Sequence, residues 1–86
     1  MQFKKITASA DNILSGKYRI HRVILVSGSD AASAILFDGT QVGAVDFAGI
    51  KANAAYSEGH EIDYTTRTSV SVTLSGTNAI LYIYYS

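Results

Sequence analysis

The residues closest to recognisable site chemistry are His60, Glu61, Ile62 and Asp63, which follow one another in the chain. If this stretch is a strand, Glu61 and Asp63 point to one face and His60 and Ile62 to the other. Two carboxylates on one face could hold a hard cation such as Ca²⁺ if backbone carbonyls completed the coordination shell. The alternative is a polar strand face turned to solvent near a turn. We favour the polar face and predict no metal site.

Templates for nucleotide binding and for nucleophilic catalysis are missing from the sequence. It contains no GxxxxGK[ST] phosphate loop, no GxGxxG fingerprint and no GxSxG elbow. Serine, histidine and aspartate occur without a motif that would bring them together. We therefore predict that the protein is not an enzyme, and that it has no catalytic residues and no cofactor.

Six tyrosines stand out instead, three of them in the run AILYIYY at residues 79–85. On a strand Tyr82 and Tyr84 share one face, and Tyr85 lies on the other. One face can pack on the core of the domain, but the second face must then be covered by something else. Tyrosine suits subunit or scaffold interfaces because it carries apolar area and a polar tip. Hydroxyls that only reach the rim of the core, or a sugar-binding platform, are the alternatives. The lack of tryptophan counts against the sugar platform.

The charges are balanced in number but segregated along the chain. Seven Lys+Arg oppose seven Asp+Glu, so no bulk basicity points to nucleic acid. Most of the bases fall within the first 22 residues, whereas six acids and one base lie in residues 30–63. Head-to-tail packing of copies could bring these poles together, or both could be ordinary solvated surfaces. Together with the tyrosines, the bases define the predicted interface residues: Lys4, Lys5, Arg19, Arg22, Tyr82, Tyr84 and Tyr85.

The length of the chain sets a limit on its stability. A domain of 86 residues buries about 60–65% of its unfolded surface, which leaves it marginal without help. No cysteine is present, so disulfides are excluded, and self-association or docking on a larger partner remains. No apolar run approaches the ~20 residues that span a bilayer, and no hydrophobic segment follows Lys4 and Lys5. We expect no signal peptide and no membrane partner.

Alternation of apolar and polar residues predicts short strands. Residues 67–85 are predicted to form one β-hairpin, with Gly76 and Asn78 supplying the positive φ of its loop. Residues 17–26 are predicted to form a strand whose alternation breaks at Arg22, through a bulge or through entry into a two-sided interior. Residues 41–48 are predicted to form a return strand with a bulge at Gly43. Residues 10–16 and 57–59 are predicted to be turns, and residues 49–55 a loop.

The tally is six to eight short strands, spaced about ten residues apart. This pattern predicts an all-β fold, a small antiparallel β-sandwich that is jelly-roll-like or immunoglobulin-like. Residues 1–86 are predicted to form a single domain, with residues 1–16 as an N-terminal arm or an edge strand.

Two stretches resemble a known class of proteins. Residues 18–38, YRIHRVILVSGSDAASAILFD, and residues 69–86, SVSVTLSGTNAILYIYYS, are similar to the small head-decoration, or cement, proteins of tailed bacteriophages. The resemblance implies a compact β-sandwich that is made in the host cytoplasm and binds the outside of an assembled capsid. It implies the major capsid (coat) protein as partner, self-association as a homotrimer, and no catalytic residues.

The resemblance gives the expected function: a virion structural protein that stabilises the head by bridging coat subunits. Two alternatives stay open. One is a tail, neck or fibre-associated virion module, and the other is a carbohydrate-binding β-sandwich.

Overall fold

A computed structural model describes residues 1–40 and 45–86, and in them the chain forms eight antiparallel strands and no helix. The strands are β1 Gln2–Ile6, β2 Ala10–Ser15, β3 Arg19–Val26, β4 Ala32–Asp38, β5 Val45–Ala52, β6 Ser57–Thr65, β7 Ser69–Ser75 and β8 Ile80–Tyr85. The predicted all-β fold is confirmed.

The strands build two four-stranded sheets. The first sheet has the order β1-β8-β3-β6 and the second has the order β2-β7-β4-β5. Successive strands therefore cross from one sheet to the other, except at the β4–β5 hairpin. This is the strand order of a jelly roll, the double-sheet arrangement of eight strands. The predicted jelly-roll-like β-sandwich is confirmed, and the immunoglobulin-like alternative is not observed.

The core lies between the sheets and is built from the inward half of each alternating strand. Because successive side chains on a strand point to opposite faces, every second residue reaches this layer. Its largest fully enclosed apolar side chains are Ile20, Val23, Leu25, Leu36, Val70, Val72, Leu81 and Ile83, each no more than 1% exposed. They come from β3 and β8 in the first sheet and from β4 and β7 in the second, so each sheet contributes two strands to this layer.

The break in alternation on β3 is a β-bulge. The register of β3 against both of its neighbours, β6 and β8, shifts between Ile20 and Arg22. Against β8 the extra residue is His21, which lets Ile20 and Val23 both point inward although they are three positions apart. Against β6 the extra residue lies on β6, where Ile62 and Asp63 are opposite His21. Arg22 consequently points outward, which places it beside Tyr84 on β8.

The predicted hairpin of residues 67–85 is wrong. β7 lies in the second sheet between β2 and β4, whereas β8 lies in the first sheet between β1 and β3. Gly76 and Asn78 do adopt positive φ, +115° and +58°, but the reversal leads to the opposite sheet. The Asp30 carboxylate holds this connection by accepting hydrogen bonds from the Thr77 N–H (2.7 Å) and hydroxyl (3.1 Å). Turn preferences specify the reversal of the chain, not the strand that it pairs with.

Three further local predictions fail at sheet edges. Residues 10–16, predicted as a turn, contain β2, an edge strand with an irregular register. Residues 57–59, also predicted as a turn, begin β6, and the predicted loop 49–55 contains the second half of β5. Edge strands need backbone pairing on one side only, so small and polar residues are tolerated there. Residues 45–48 of the predicted return strand belong to β5, whereas residues 41–44, with the predicted bulge at Gly43, lie outside the described residues.

Residues 1–16 contain the edge strands of both sheets. β1 is the edge of the first sheet beside β8, and β2 is the edge of the second sheet beside β7. β1 brings Phe3 and Lys5 next to the tyrosines of β8, because Phe3 pairs with Tyr84 and Lys5 with Tyr82.

Candidate interaction surface

The outward side of the first sheet is apolar and aromatic. We call it the outer aromatic face, and define it by six residues: Phe3 on β1, Ile24 and Val26 on β3, and Ile80, Tyr82 and Tyr84 on β8. The registers bring them together: Tyr82 lies between Lys5 and Ile24, and Tyr84 lies between Phe3 and Arg22. Central strands of an antiparallel sheet often carry polar residues on the wet side. Here that side is occupied by rings and branched aliphatic side chains.

Phe3 lies at the margin of this face and covers part of it. Its ring centroid lies 6.2 Å from that of Tyr82 and 5.9 Å from that of Tyr84, with tilted planes. Phe3 itself remains 60% exposed, and Ile80, Tyr82 and Tyr84 stay half-buried although β8 is a central strand. The prediction that residues 79–85 carry two apolar faces is confirmed: Leu81 and Ile83 are enclosed by the core, while the other face is only partly covered.

Charged side chains border the outer aromatic face on its β3–β6 side. The Arg19 guanidinium lies 2.7 Å from a carboxylate oxygen of Asp63, and Arg22 Nε lies 3.7 Å from Glu61 Oε1. All four side chains are at least 50% exposed, so these pairs add little stability and are screened by salt. They hold the arginines over β6.

The same contacts explain the metal-like stretch at residues 60–63. Glu61 and Asp63 do share a face, as predicted, but each lies beside an arginine. Across residues 1–40 and 45–86, no group of three or more His, Cys, Asp or Glu side chains is placed to hold a metal ion. Carboxylates that already face guanidinium groups are poor starting ligands for a cation.

The predicted interface residues fall into two groups. Lys5, Arg22, Tyr82 and Tyr84 lie on or beside the outer aromatic face, and Arg19 lies further along β3 at its charged border. Lys4 and Tyr85 do not join them. Lys4 pairs with buried Ile83 and so points to the inner side of β1.

Tyr85 also belongs to the inner side of the sheet. It packs against the core with its ring edge-on to that of Tyr18, at a centroid distance of 5.3 Å. Sequence reasoning omitted Phe3, Ile24 and Val26 from the interface. The sequence does contain a signal for Ile24 and Val26, since residues 23–26 are apolar on both sides of the strand. It contains none for Phe3, because nothing in it indicates that β1 pairs with β8.

A shallow groove of about 390 Å³ opens at the charged border of the outer aromatic face. It is lined by Met1, His21, Arg22, Ile24, Glu61 and Tyr84. His21 Nε2 is 2.7 Å from the Ser86 hydroxyl. The groove combines one ring with several hydrogen-bonding groups.

A second groove, of about 560 Å³, lies where the edge strands β5 and β6 meet. Its ionisable side chains are Asp46, Lys51, Glu58 and His60, all exposed. Exposed groups of mixed sign do not make a preorganised polar site.

The carboxylate of Asp38 is the most elaborately hydrogen-bonded acid in the described part of the chain. It accepts hydrogen bonds from the Arg67 N–H (2.9 Å), the Thr68 N–H (3.0 Å) and the Tyr64 hydroxyl (2.9 Å). Burial raises the pKa of Asp38, but the N–H groups of Thr68 and Arg67 and the Tyr64 hydroxyl outweigh it, so the pKa lies below its ordinary 3.8.

Tyr64 completes this cluster from the other sheet. Its hydrogen bond to Asp38 raises the pKa of the phenol above its ordinary 10.0, and burial acts in the same direction. The Phe47 ring stacks on Tyr64 at a centroid distance of 4.3 Å. Since Tyr64 lies on β6 and Asp38 on β4, the cluster ties the two sheets together and acts as a structural anchor.

Comparisons with known proteins add no relative. No protein-family model matches the chain, and neither does any curated protein sequence. In the described part of the chain there is no helix with the length and hydropathy to cross a bilayer.

Proposed function

We propose that this protein is a non-enzymatic structural component of a tailed-bacteriophage particle, a decoration protein that binds the outside of the capsid. The outer aromatic face docks on the coat, and each copy bridges neighbouring coat subunits. Copies self-associate, as a homotrimer, and add to the capsid surface after synthesis in the host cytoplasm.

The outer aromatic face is the observation that carries the proposal. The chain already has a complete core between its sheets, so the apolar side chains on the outward side are surplus to the needs of the fold. Contiguous exposed apolar surface of this kind is typical of binding sites. Aromatic residues and arginine are also the types enriched at protein interfaces, which fits Phe3, Tyr82, Tyr84 and Arg22.

Two basic side chains beside the outer aromatic face would orient the protein on the coat. Lys5 of β1 lies directly beside Tyr82, and Arg22 of β3 lies directly beside Tyr84. Acidic side chains on the coat would pair with these bases at the rim of the contact. Rim charges guide association and register more than they add affinity.

The assignment to a virion depends on the resemblance of residues 18–38 and 69–86 to decoration proteins. The jelly roll supports it only weakly, because viral capsid proteins, lectins and cupins all use this architecture. Copy number tests the assignment. We expect purified particles of the source virus to contain the protein at a copy number comparable to that of the coat protein. A few copies per particle would favour the tail, neck or fibre alternative, and absence from particles would overturn both.

The docking face is tested by adding variants back to particles that lack the protein. The double variant Tyr82→Ser with Tyr84→Ser should lose at least ~10-fold in affinity, because buried aromatic anchors dominate interface energetics. Ile35→Ser is the matched control, since Ile35 is an exposed apolar residue on the outward side of the second sheet. Equal losses in both variants would contradict docking through the outer aromatic face.

Carbohydrate binding is the second candidate, favoured by the groove beside Tyr84. That groove places an aromatic ring next to Arg22, Glu61 and His21, the combination of stacking surface and hydrogen-bonding groups that sugars require. A glycan array with wild type and Tyr84→Ala tests it. Binding that depends on Tyr84 would support this candidate, and a silent array would count against it.

A further inference from the structure

We propose that copies of this chain associate head to tail through the two edges of the first sheet, strand β1 of one copy adding to strand β6 of the next. This inference rests on the self-association included in the proposed function, and it names the two surfaces that make the contact. The outer aromatic face then continues from copy to copy.

The two edges are complementary in direction. β1 pairs with β8 and β6 pairs with β3, so within the first sheet each has one neighbour and one open side. An open strand edge presents unpaired N–H and C=O groups that can bind another strand. All pairings in this sheet are antiparallel, so β1 and β6 run in opposite directions. A second copy in the same orientation would therefore meet β6 with an antiparallel β1.

The two edges are also complementary in charge. β1 carries Lys4 and Lys5 and no acid, while β6 carries Glu58, Glu61 and Asp63 and no lysine or arginine. Glu61 and Asp63 already face arginines of their own chain. By contrast, Lys4, Lys5 and Glu58 form no ion pair with any other residue that the structure describes.

Side-chain alternation and the β6 irregularity indicate one register. The pairing of β6 with β3 is regular from Ser57 to Glu61 and shifts beyond it. Pairing residues 57–61 with residues 1–5 of the next copy puts Phe3 opposite Gly59 on the outward side and Lys4 opposite Glu58 on the inward side. Gly59 has no side chain, and a Cβ there would lie 3.1 Å from a terminal nitrogen of Arg22, so the ring of Phe3, 60% exposed in a single copy, would lie over the Arg22 guanidinium.

Such a contact is heterologous, because it joins two different surfaces. Contacts of this kind close into a ring when the rotation between copies divides the circle, and otherwise they continue as a filament. A rotation of one third of a circle gives the homotrimer of the proposed function.

Charge reversal separates this contact from the alternative that the lysines of β1 prevent pairing with another strand, a role that lysines on edge strands often have. If Lys4 binds Glu58 of the next copy, Lys4→Glu and Glu58→Lys should each weaken association at least 10-fold in sedimentation equilibrium, and the combined variant should restore it. Lys17→Glu, in the connection between β2 and β3, is the matched control and should leave association unchanged.

Three results would overturn the contact. They are a wild type that stays monomeric at all concentrations, single reversals that strengthen association, and a combined variant that fails to restore it. Circular dichroism of each variant separates loss of association from loss of the fold.

Cysteine cross-linking tests the register without disturbing the charges, and the chain has no cysteine of its own. Phe3→Cys and Gly59→Cys, mixed as separate proteins, should form a covalent one-to-one pair under mild oxidation. Residues facing each other across antiparallel strands lie within disulfide reach. Gln2→Cys mixed with Gly59→Cys is the control, since these side chains point to opposite faces and neither change removes a charge. Only symmetric dimers, or equal yields from both mixtures, would contradict the register.

The two proposals fail independently. If the tyrosine variants lose particle binding but still associate in solution, the edge contact holds on its own. If charge reversal abolishes association while wild type is absent from purified particles, the edge contact stands and the decoration function falls.

Discussion

The two sheets of this protein use their outward faces in opposite ways. The second sheet carries small hydroxyl side chains there, at Ser33, Ser69, Ser71, Thr73 and Ser75. Several of these hydroxyls are bonded within the chain. Ser71 donates to the Gly39 carbonyl and accepts from the Asn12 N–H, and Ser69 donates to the Asn12 side chain (2.7 Å). The first sheet carries the outer aromatic face, where Phe3 is exposed and the rings of Tyr82 and Tyr84 are half-buried.

The difference lies in how each face is completed. Small hydroxyls allow the bulged strand β2 to lie close over β7, so Ser69 and Ser71 are almost fully buried on the nominally outward side. Two large apolar side chains of β4 stay partly uncovered there, Ile35, which is 39% exposed, and Phe37, which is half-buried. Rings in the first sheet are too large for such closure and remain at the surface. One outward face is thus covered in part by a strand of its own sheet, whereas the other keeps its aromatic rings at the surface.

The largest loss of stability is expected in the core that both sheets share. Leu81→Ala removes a fully enclosed side chain next to the outer aromatic face on the same strand. We expect the free energy of unfolding to fall by about 3 kcal/mol, as is usual for a buried leucine. Denaturant unfolding measures it, and a loss below about 1 kcal/mol would show that β8 contributes little to the core.

The second largest loss of stability is expected at the buried hydroxyls of the second sheet. Ser71→Ala leaves the half-buried Gly39 carbonyl without its donor and the Asn12 N–H without its acceptor. We expect a loss of about 2 kcal/mol, because unsatisfied buried polar groups are costly. Thr73→Ala on the same face is the comparison, since Thr73 is only half-buried. Similar losses at both positions would mean that the serine network is not special.

The Asp38 anchor should show its effect through pH. Because the pKa of Asp38 is lowered by folding, its contribution is complete above pH 3.8 and disappears as the pH falls through the lower folded value. Asp38→Asn should cost about 1.5 kcal/mol at neutral pH. The difference in unfolding free energy between wild type and variant should shrink as the pH is lowered below 3.8. A constant difference would rule out a lowered pKa.

Tyr64→Phe removes one donor to Asp38 but keeps the stack on Phe47. We expect a loss of about 1 kcal/mol, the usual net value of one hydrogen bond. The variant should also raise the pKa of Asp38, which NMR titration of the carboxylate would detect. An unchanged pKa would indicate that the N–H groups of Arg67 and Thr68 hold the carboxylate without help.

The smallest effect on stability is expected on the outer aromatic face. Tyr82→Thr keeps a residue that favours strands and removes a half-buried ring. We expect thermal unfolding to report a loss below about 1 kcal/mol. A loss as large as that of Leu81→Ala would mean that the ring is part of the fold, and the contrast between the two outward faces would disappear.

The candidate site could be predicted only in part. The sequence identifies Tyr82 and Tyr84 as neighbours on one face, because alternation along a single strand is a local property. It places Tyr85 on the opposite face of the same strand but does not show which of the two faces packs on the core, and it has no information on the side to which Lys4 points. Phe3 was omitted for the same reason, since its place beside Tyr84 arises from pairing between the two ends of the chain.

Local residue patterns by themselves determined an all-β domain, the irregularity near Arg22, the positive φ of Gly76 and Asn78, and the two-sided apolar character of residues 79–85. Tertiary structure alone decided that β7 and β8 separate into different sheets, and that Glu61 and Asp63 face arginines. The physical reason is range: alternation and turn preferences act over a few residues, whereas the partner of a strand is chosen by burial across the whole chain.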